Sequence, residues 1–169
     1  MDDAMQHKAT QSVPPPTFGQ LRGMIGEEIG VSDWTLVDQG RIDQFAECTG
    51  DRQWIHVDAE RARRRSPFRT TIAHGYLSLS LIGGLSQEMN VVPENTQAVF
   101  NYGLDRVRFI SPVKVGSRVR LRSRLLSMED RGPGQYLLKF ENTLEIEAEE
   151  KAALIAETLA MFYERRRKR

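Results

Sequence analysis

Two short groups of side chains in this 169-residue chain combine residue types and spacings that suit chemistry. In the first, Asp51 precedes His56 by five residues within the turn-rich run Thr49-Gly50-Asp51-Arg52-Gln53-Trp54-Ile55-His56-Val57-Asp58. A carboxylate and an imidazole facing one water provide the acid and the base that addition of water to a double bond requires. The Gly-Asp start after a helix predicts a loop position for the carboxylate, where catalytic groups commonly sit. If Trp54 and Ile55 turn inward, they form an apolar wall that keeps His56 neutral. The second group is Thr70-Thr71-Ile72-Ala73-His74-Gly75, where a loop enters the most apolar stretch of the chain. A backbone N–H at Gly75 would point outward at the positive end of a helix dipole, a setting suited to an anion or a developing oxyanion. With no Cβ, glycine also lets a ligand approach closely.

Each feature has a plainer reading. Asp-x-x-x-x-His is a weak pattern by itself, and Asp51 and Asp58 are both residue types that cap helices. Gly75 alone is an ordinary glycine at a helix start. His56, His74 and a carboxylate make a conceivable two-histidine metal site, but the chain has one cysteine and therefore no Cys pair, and no metal is expected. That cysteine, Cys48, falls within a predicted helix and reads as a buried structural thiol rather than a nucleophile paired with His56.

The elements that must position these groups follow from periodicity. Residues 1–16 are polar, end in Pro14-Pro15-Pro16, and read as a flexible arm. Residues 17–30 predict a short helix and a turn, and Asp33-Trp34-Thr35-Leu36-Val37 a short strand. Asp38 is placed to cap a helix over about 40–48, with Ile42, Phe45 and Ala46 on one face and Thr49-Gly50 as its stop. Asp58 caps a short arginine-bearing helix before Pro67. From Gly75 to about Met89, small residues and all-round apolarity predict a helix buried on most sides. Strand-like segments follow near 97–110, 116–129, 135–148 and 152–163, with period-two apolar positions and turn signals at Gly116 and Arg131-Gly132-Pro133-Gly134. A helical first half followed by consecutive strands indicates an α+β domain with an antiparallel sheet, spanning 17–164 as one unit before a basic tail, 165–169.

Composition excludes several function classes. Lys+Arg number 24 against 23 Asp+Glu, and this net charge of +1 argues against nucleic acid as the main partner. No apolar run approaches the roughly 20 residues needed to span a bilayer. The acidic N-terminus lacks an apolar signal core, so the expected address is the cytoplasm.

The run from Phe45 to Asp58, followed by Pro67-Phe68-Arg69-Thr70-Thr71-Ile72-Ala73-His74-Gly75, closely resembles the signature of MaoC-like dehydratases, a group that includes the (R)-specific enoyl-CoA hydratases. Gln53-Trp54-Ile55-His56 and the later Asn101-Tyr102-Gly103-Leu104-Asp105-Arg106-Val107-Arg108-Phe109 are most similar to the NodN-like branch. The likeness extends from about Val31 to about Tyr163. It implies a hot-dog fold, an antiparallel sheet wrapped around a central helix at about 75–89. It further implies a homodimer that continues the sheet, with an acyl-thioester tunnel near the interface. Asp51 and His56 match the family's catalytic pair, and Gly75 matches its backbone oxyanion donor. The implied reaction is hydration of a trans-2-enoyl-CoA to the (R)-3-hydroxyacyl-CoA, with coenzyme A as part of the substrate and no further cofactor.

Gln53, Trp54, His74, Arg106 and Arg108 are the expected substrate-binding residues. Many hydratases of the group have Asn-Pro where Gln53-Trp54 stands here; Gln53 retains hydrogen-bonding capacity, whereas Trp54 is bulky enough to narrow the tunnel. Arg61, Arg63, Arg64 and Arg65 join Arg106 and Arg108 as candidate cations for the phosphates of coenzyme A. The rival readings are a carrier-protein-linked dehydratase, a hot-dog thioesterase and a non-catalytic acyl-thioester binder.

Overall fold

Thr17 opens the first element: its side chain accepts from Gln20 N–H while the Gln20 side chain accepts from Thr17 N–H. The structure is a computed structural model describing residues 14–165, so 1–13 of the expected arm and 166–169 of the basic tail lie outside the described residues. Helix α1 (Phe18–Gly23) buries Phe18 and Leu21. The turn after it leads into strand β1 (Glu28–Val31), where the sequence predicted only a helix and a turn. Four residues centred on a glycine carry too little alternation to announce a strand, and pairing with the long β4 stabilises this one.

Strand β2 (Thr35–Val37) is followed by helix α2 (Gln39–Thr49), capped by the Asp38 carboxylate on Arg41 N–H, with Cys48 exposed in its last turn rather than buried as expected. Gly50 closes α2 in the left-handed conformation at φ 77°, its N–H bonding to Ala46 O. The expected loop that follows is interrupted by one helical turn, α3 (Trp54–Val57). Asp58 then caps α4 (Ala59–Arg65) through Arg61 N–H, as its position predicts.

Helix α5 (Gly75–Glu88) lies along the sheet and buries Leu77, Ser78, Ile82 and Leu85. Its opposite side is open: Tyr76, Ser80, Gly83, Gly84 and Gln87 are exposed in the single chain, so burial is one-sided rather than all-round. Four long strands complete the chain, β3 (Thr96–Phe109), β4 (Ser117–Gly132), β5 (Gln135–Ile146) and β6 (Leu154–Glu164). The antiparallel sheet runs β1-β4-β5-β6-β3, with β2 also pairing with β4. This is the hot-dog architecture, six strands curved around α5.

Alternation along β4 sorts the faces of the sheet. Val119, Leu121, Ser123 and Leu125 point to the inner face, which α5 and α1 cover, while Arg118, Arg120 and Arg122 pair outside with Glu147, Glu145 and Glu28. The core forms two clusters. One gathers Val119, Leu121, Leu144, Leu154 and Ala156 beneath Leu77, Ile82 and Leu85. The other gathers Leu125, Leu138, Ala160 and Phe162 against Phe18 and Leu21 of α1.

Candidate active site

Gly50 delivers Asp51 into an exposed loop directly off the end of α2, and α3 carries His56 into the interior. His56 is buried, and its Nδ1–H donates to Ile72 O at 2.7 Å. A carbonyl only accepts, so the neutral ring keeps its lone pair on Nε2. Burial is the main cause that lowers the His56 pKa below its ordinary value; the His74 charge lowers it further, while the Ile72 bond and Asp51 oppose the shift. His56 is thereby held as the neutral base form.

The segment preceding α5 is stitched in place from three sides. Ile72 N–H donates to Ile55 O, Ala73 N–H to Val113 O, and Val115 N–H to Thr71 O. Gln39, at the start of α2, spans the site: its Nε2 donates to His56 O at 2.8 Å and its Oε1 accepts from the Thr71 hydroxyl at 2.6 Å. Sequence reading found no sign of Gln39, nor of its bond to Thr71, because nothing in their local pattern signals a contact 32 residues apart.

His74 is buried behind the pair. Its ring stacks on His56 with centroids 3.7 Å apart and planes 24° apart, and its Nε2–H donates to Asp51 O at 2.9 Å. His74 thus contacts both members of the pair, holding one through its backbone and the other through its ring. Its Nδ1 is buried without a hydrogen-bond partner among the described residues. Leaving such a group unpaired costs about 1–3 kcal/mol, which marks the position as one where packing against His56 takes precedence over satisfaction.

Asp51, His56 and His74 each offer a ligand atom within 4.8 Å of the others. This is the one metal-like grouping found among the described residues. Chelation fits it poorly, because near-parallel stacked rings direct their lone pairs alongside each other rather than to a common point. His56 Nδ1 and His74 Nε2 are moreover committed to main-chain oxygens. An acid–base pair beside a fixed third ring is the chemistry that this geometry suits.

Gly75 is the first residue of α5, and His74 makes no side-chain cap, so the N-terminal N–H groups lack intrahelical partners. A Cβ at Gly75 would press on the Phe109 ring at 3.2 Å. Close packing against β3 is thus a reason for glycine here that is independent of any ligand. Phe109 also meets Tyr76 edge-on.

The remaining expected residues lie as follows. Gln53 is exposed, and its N–H approaches Asp51 Oδ1 at 3.4 Å. Trp54 is half-buried beneath the Arg61 guanidinium at 4.7 Å and does not line the large cavity described next. Arg106 and Arg108 share the face of β3 opposite the partly buried Val107, four and two residues short of Ile110; Arg106 lies 3.8 Å from Glu157. Arg63, Arg64 and Arg65 are exposed along α4, with Arg64 paired to Glu60. Beyond Gly75, a cavity of about 850 Å³ runs between α5 and the sheet, bounded by Leu79, Ile82, Met89, Leu104, Phe140 and Phe162 among others.

The family model described as "MaoC like domain" matches residues 20–143. Nodulation protein N of Rhizobium leguminosarum bv. viciae is 49% identical over 141 residues, covering 83% of this chain and 87% of its own. The 3-hydroxyacyl-thioester dehydratase Z of Mycobacterium tuberculosis is 44% identical over 146 residues, covering 86% and 95%. Among solved structures, an unliganded (R)-hydratase from Pseudomonas aeruginosa superposes with a TM-score of 0.68 at 23% identity, covering 83% of this chain and 82% of that one.

Proposed function

The chain belongs to the MaoC-like dehydratase family, and from that premise we propose that it hydrates trans-2-enoyl-CoA to (R)-3-hydroxyacyl-CoA, reversibly, with Asp51 and His56 as its catalytic pair and Gly75 N–H as oxyanion donor. The observation that carries this reading is the convergence of Asp51 and a neutral, buried His56 beside the uncapped N-terminus of α5. The name of the Mycobacterium tuberculosis relative, a 3-hydroxyacyl-thioester dehydratase, supports the same reaction class.

In this mechanism the thioester carbonyl accepts from Gly75 N–H, which draws electron density from the conjugated double bond. Water gives its oxygen to C3 and one proton to the pair, and the pair returns one proton to C2. Asp51 and His56 therefore end each turnover as they began it. His74 keeps the two aligned, Gln53 holds the Asp51 loop, and the acyl chain runs into the cavity along α5. Trp54, Arg106 and Arg108 bind the coenzyme A end, the arginines as cations for phosphate. The partner is a second copy of the chain, added along the free edge of β3, and the setting is cytoplasmic. Among the described residues no helix is long and apolar enough to cross a membrane.

Loss of enoyl absorbance from crotonyl-CoA and longer enoyl-CoAs tests this reading, run beside Asp51→Asn and His56→Ala. General acid–base groups contribute about 10² to 10⁴ in rate, so each variant is expected to lose at least that lower factor while staying folded. Chelator treatment is expected to leave the rate unchanged. Near-wild-type turnover in both variants would exclude the pair. Release of free coenzyme A instead of hydration would assign a thioesterase.

A further inference from the structure

Across β4, β5 and β6 the inner face of the sheet is apolar on both sides of one polar row; on β3, Asn101 opposite Ala160 adds a further polar side chain to the cavity lining. Ser123 of β4 lies directly opposite Asn142 of β5, and Thr158 of β6 is the diagonal neighbour of Asn142. Ser123 and Asn142 are each 2% exposed. Above the row stand Val119, Leu121, Leu144, Leu154 and Ala156; below it stand Leu125, Leu138, Ala160 and Phe162. The row is the boundary where the core divides into its two clusters, and all three side chains line the large cavity.

A polar row in so apolar a place needs partners, because an unpaired buried polar group costs more than a hydrogen bond returns. Asn142 Nδ2 donates to Thr158 Oγ1 at 2.8 Å. That bond leaves Asn142 Oδ1, the Ser123 hydroxyl and the Thr158 hydroxyl proton without a side-chain partner among the described residues. Three strands thus present a cluster of acceptors and donors to the cavity, with hydrogen-bonding capacity to spare.

We propose that this row recognises a neutral oxygen substituent, a hydroxyl or a keto group, far along the acyl chain of the substrate. The inference rests on the enoyl-thioester reading above and specifies the class of chain. Charge excludes a carboxylate there, since no Lys, Arg or His lines the cavity to neutralise it. Distance sets the position. Gly75 abuts Phe109, Phe109 pairs with Leu154, and Thr158 lies four residues further along β6, about 13 Å at strand rise. An extended chain anchored by its carbonyl at Gly75 covers that span in about ten carbons at ordinary C–C bond lengths. Leu79, Ile82 and Leu104 line the stretch between, so a plain hydrocarbon suits the first part of the path and an oxygen suits its far part.

The test compares a dodecenoyl-CoA with the same chain hydroxylated about ten carbons from the thioester, in the wild type, in Asn142→Leu and in Ser123→Ala. Hydration kinetics are measured alongside calorimetric binding of the corresponding saturated acyl-CoAs. One satisfied hydrogen bond predicts about a tenfold preference in kcat/KM for the hydroxylated chain in the wild type. Asn142→Leu is expected to abolish or reverse the preference, and Ser123→Ala, the milder change, to reduce it. Equal hydration of both chains by the wild type overturns the inference and leaves the enzymatic reading intact. If neither chain is hydrated, the enzymatic reading fails and binding decides: a hydroxyl preference lost in Asn142→Leu still supports recognition by the row, and equal binding overturns it.

Discussion

At the residue scale, the proposed site is a pair, Asp51 and His56, held by a third ring, His74. Replacing His74 by Phe keeps an aromatic ring for the stack on His56 but removes the 2.9 Å bond to Asp51 O, and the Asp51 loop is expected to lose its alignment. kcat should fall by about 10- to 100-fold with KM little changed, an effect within the range for misplacement of an acid–base group. Gln at the same position places an amide donor near the site of Nε2 and should recover much of the rate. The pH profile separates positioning from mere packing. Burial and the nearby His74 charge lower the His56 pKa, so in the wild type the acid limb of kcat/KM lies below about pH 6.5. The same shift makes protonation favour the unfolded chain, so stability is lost as pH falls below that ordinary value. Asp51 and His74 are the titratable groups facing His56, and removing the His74 charge leaves the attraction of Asp51 less opposed. The limb in His74→Phe should therefore move to higher pH; an unmoved limb together with an unchanged kcat would remove His74 from the mechanism. That Asp51 and His56 lie close together was legible in the sequence because the run holding them resembles a known family signature. The stacking of His74 was not, since two rings 18 residues apart meet only through the strand-like stitching at Ile72 and Ala73.

At the element scale, the position of Asp51 depends on how α2 ends. Gly50 adopts φ 77°, a conformation that side chains with a Cβ rarely take, and no atom lies within 4 Å of where that Cβ would be. The cost of Gly50→Ala is therefore conformational, about 1 kcal/mol, equivalent to roughly 2–4 °C in Tm for a domain of this size. Asn tolerates the left-handed region better, so Gly50→Asn should cost less. Thermal denaturation of the two variants measures this ordering, and equal or higher stability of Gly50→Ala would contradict it. Capping signals made α2, α4 and the start of α5 readable from Asp38, Asp58 and Gly75, and period-two patterning made β3 to β6 readable within a few residues. The failures share a cause. Strand β1 and the single turn α3 are four residues each, too short for a period to be counted, and both are fixed by neighbours distant in sequence. The exposed side of α5 was equally hidden, because apolar composition alone does not say which face meets the sheet.

At the scale of the whole molecule, the sheet ends in an unblunted edge. Strand β3 is 14 residues long, pairs with β6 alone, and carries Phe100, Tyr102 and Leu104 at 58%, 61% and 50% exposure. A long apolar edge with free N–H and C=O groups is a template for another strand, and isolated soluble domains usually guard such edges with lysines or bulges. Here the ladder shifts register between Thr96 and Ala98, Asn101 and Gly103, and Leu104 and Arg106, but the exposed residues between the outer two shifts remain mainly aromatic and aliphatic. Tyr102 and Leu104 also bound the cavity, forming with Val99 part of its wall on the β3 side, so the proposed acyl path is incompletely enclosed in a single chain. Burial of that wall by a second copy would complete the path and shelter the apolar edge together, which ties the proposed dimer to the proposed activity. Analytical ultracentrifugation is expected to give a species of twice 19.3 kDa. Introducing charge at the edge with Phe100→Lys and Leu104→Lys together should shift the mass to one chain. In that monomer Asp51, His56 and His74 keep their mutual contacts, since all three are held by α2, α3 and the segment before α5. Turnover of long enoyl-CoAs should nevertheless fall more steeply than that of crotonyl-CoA, whose short chain does not reach the β3 wall. A monomeric wild type, or a folded monomeric variant with undiminished long-chain activity, would separate the edge of the sheet from the acyl path.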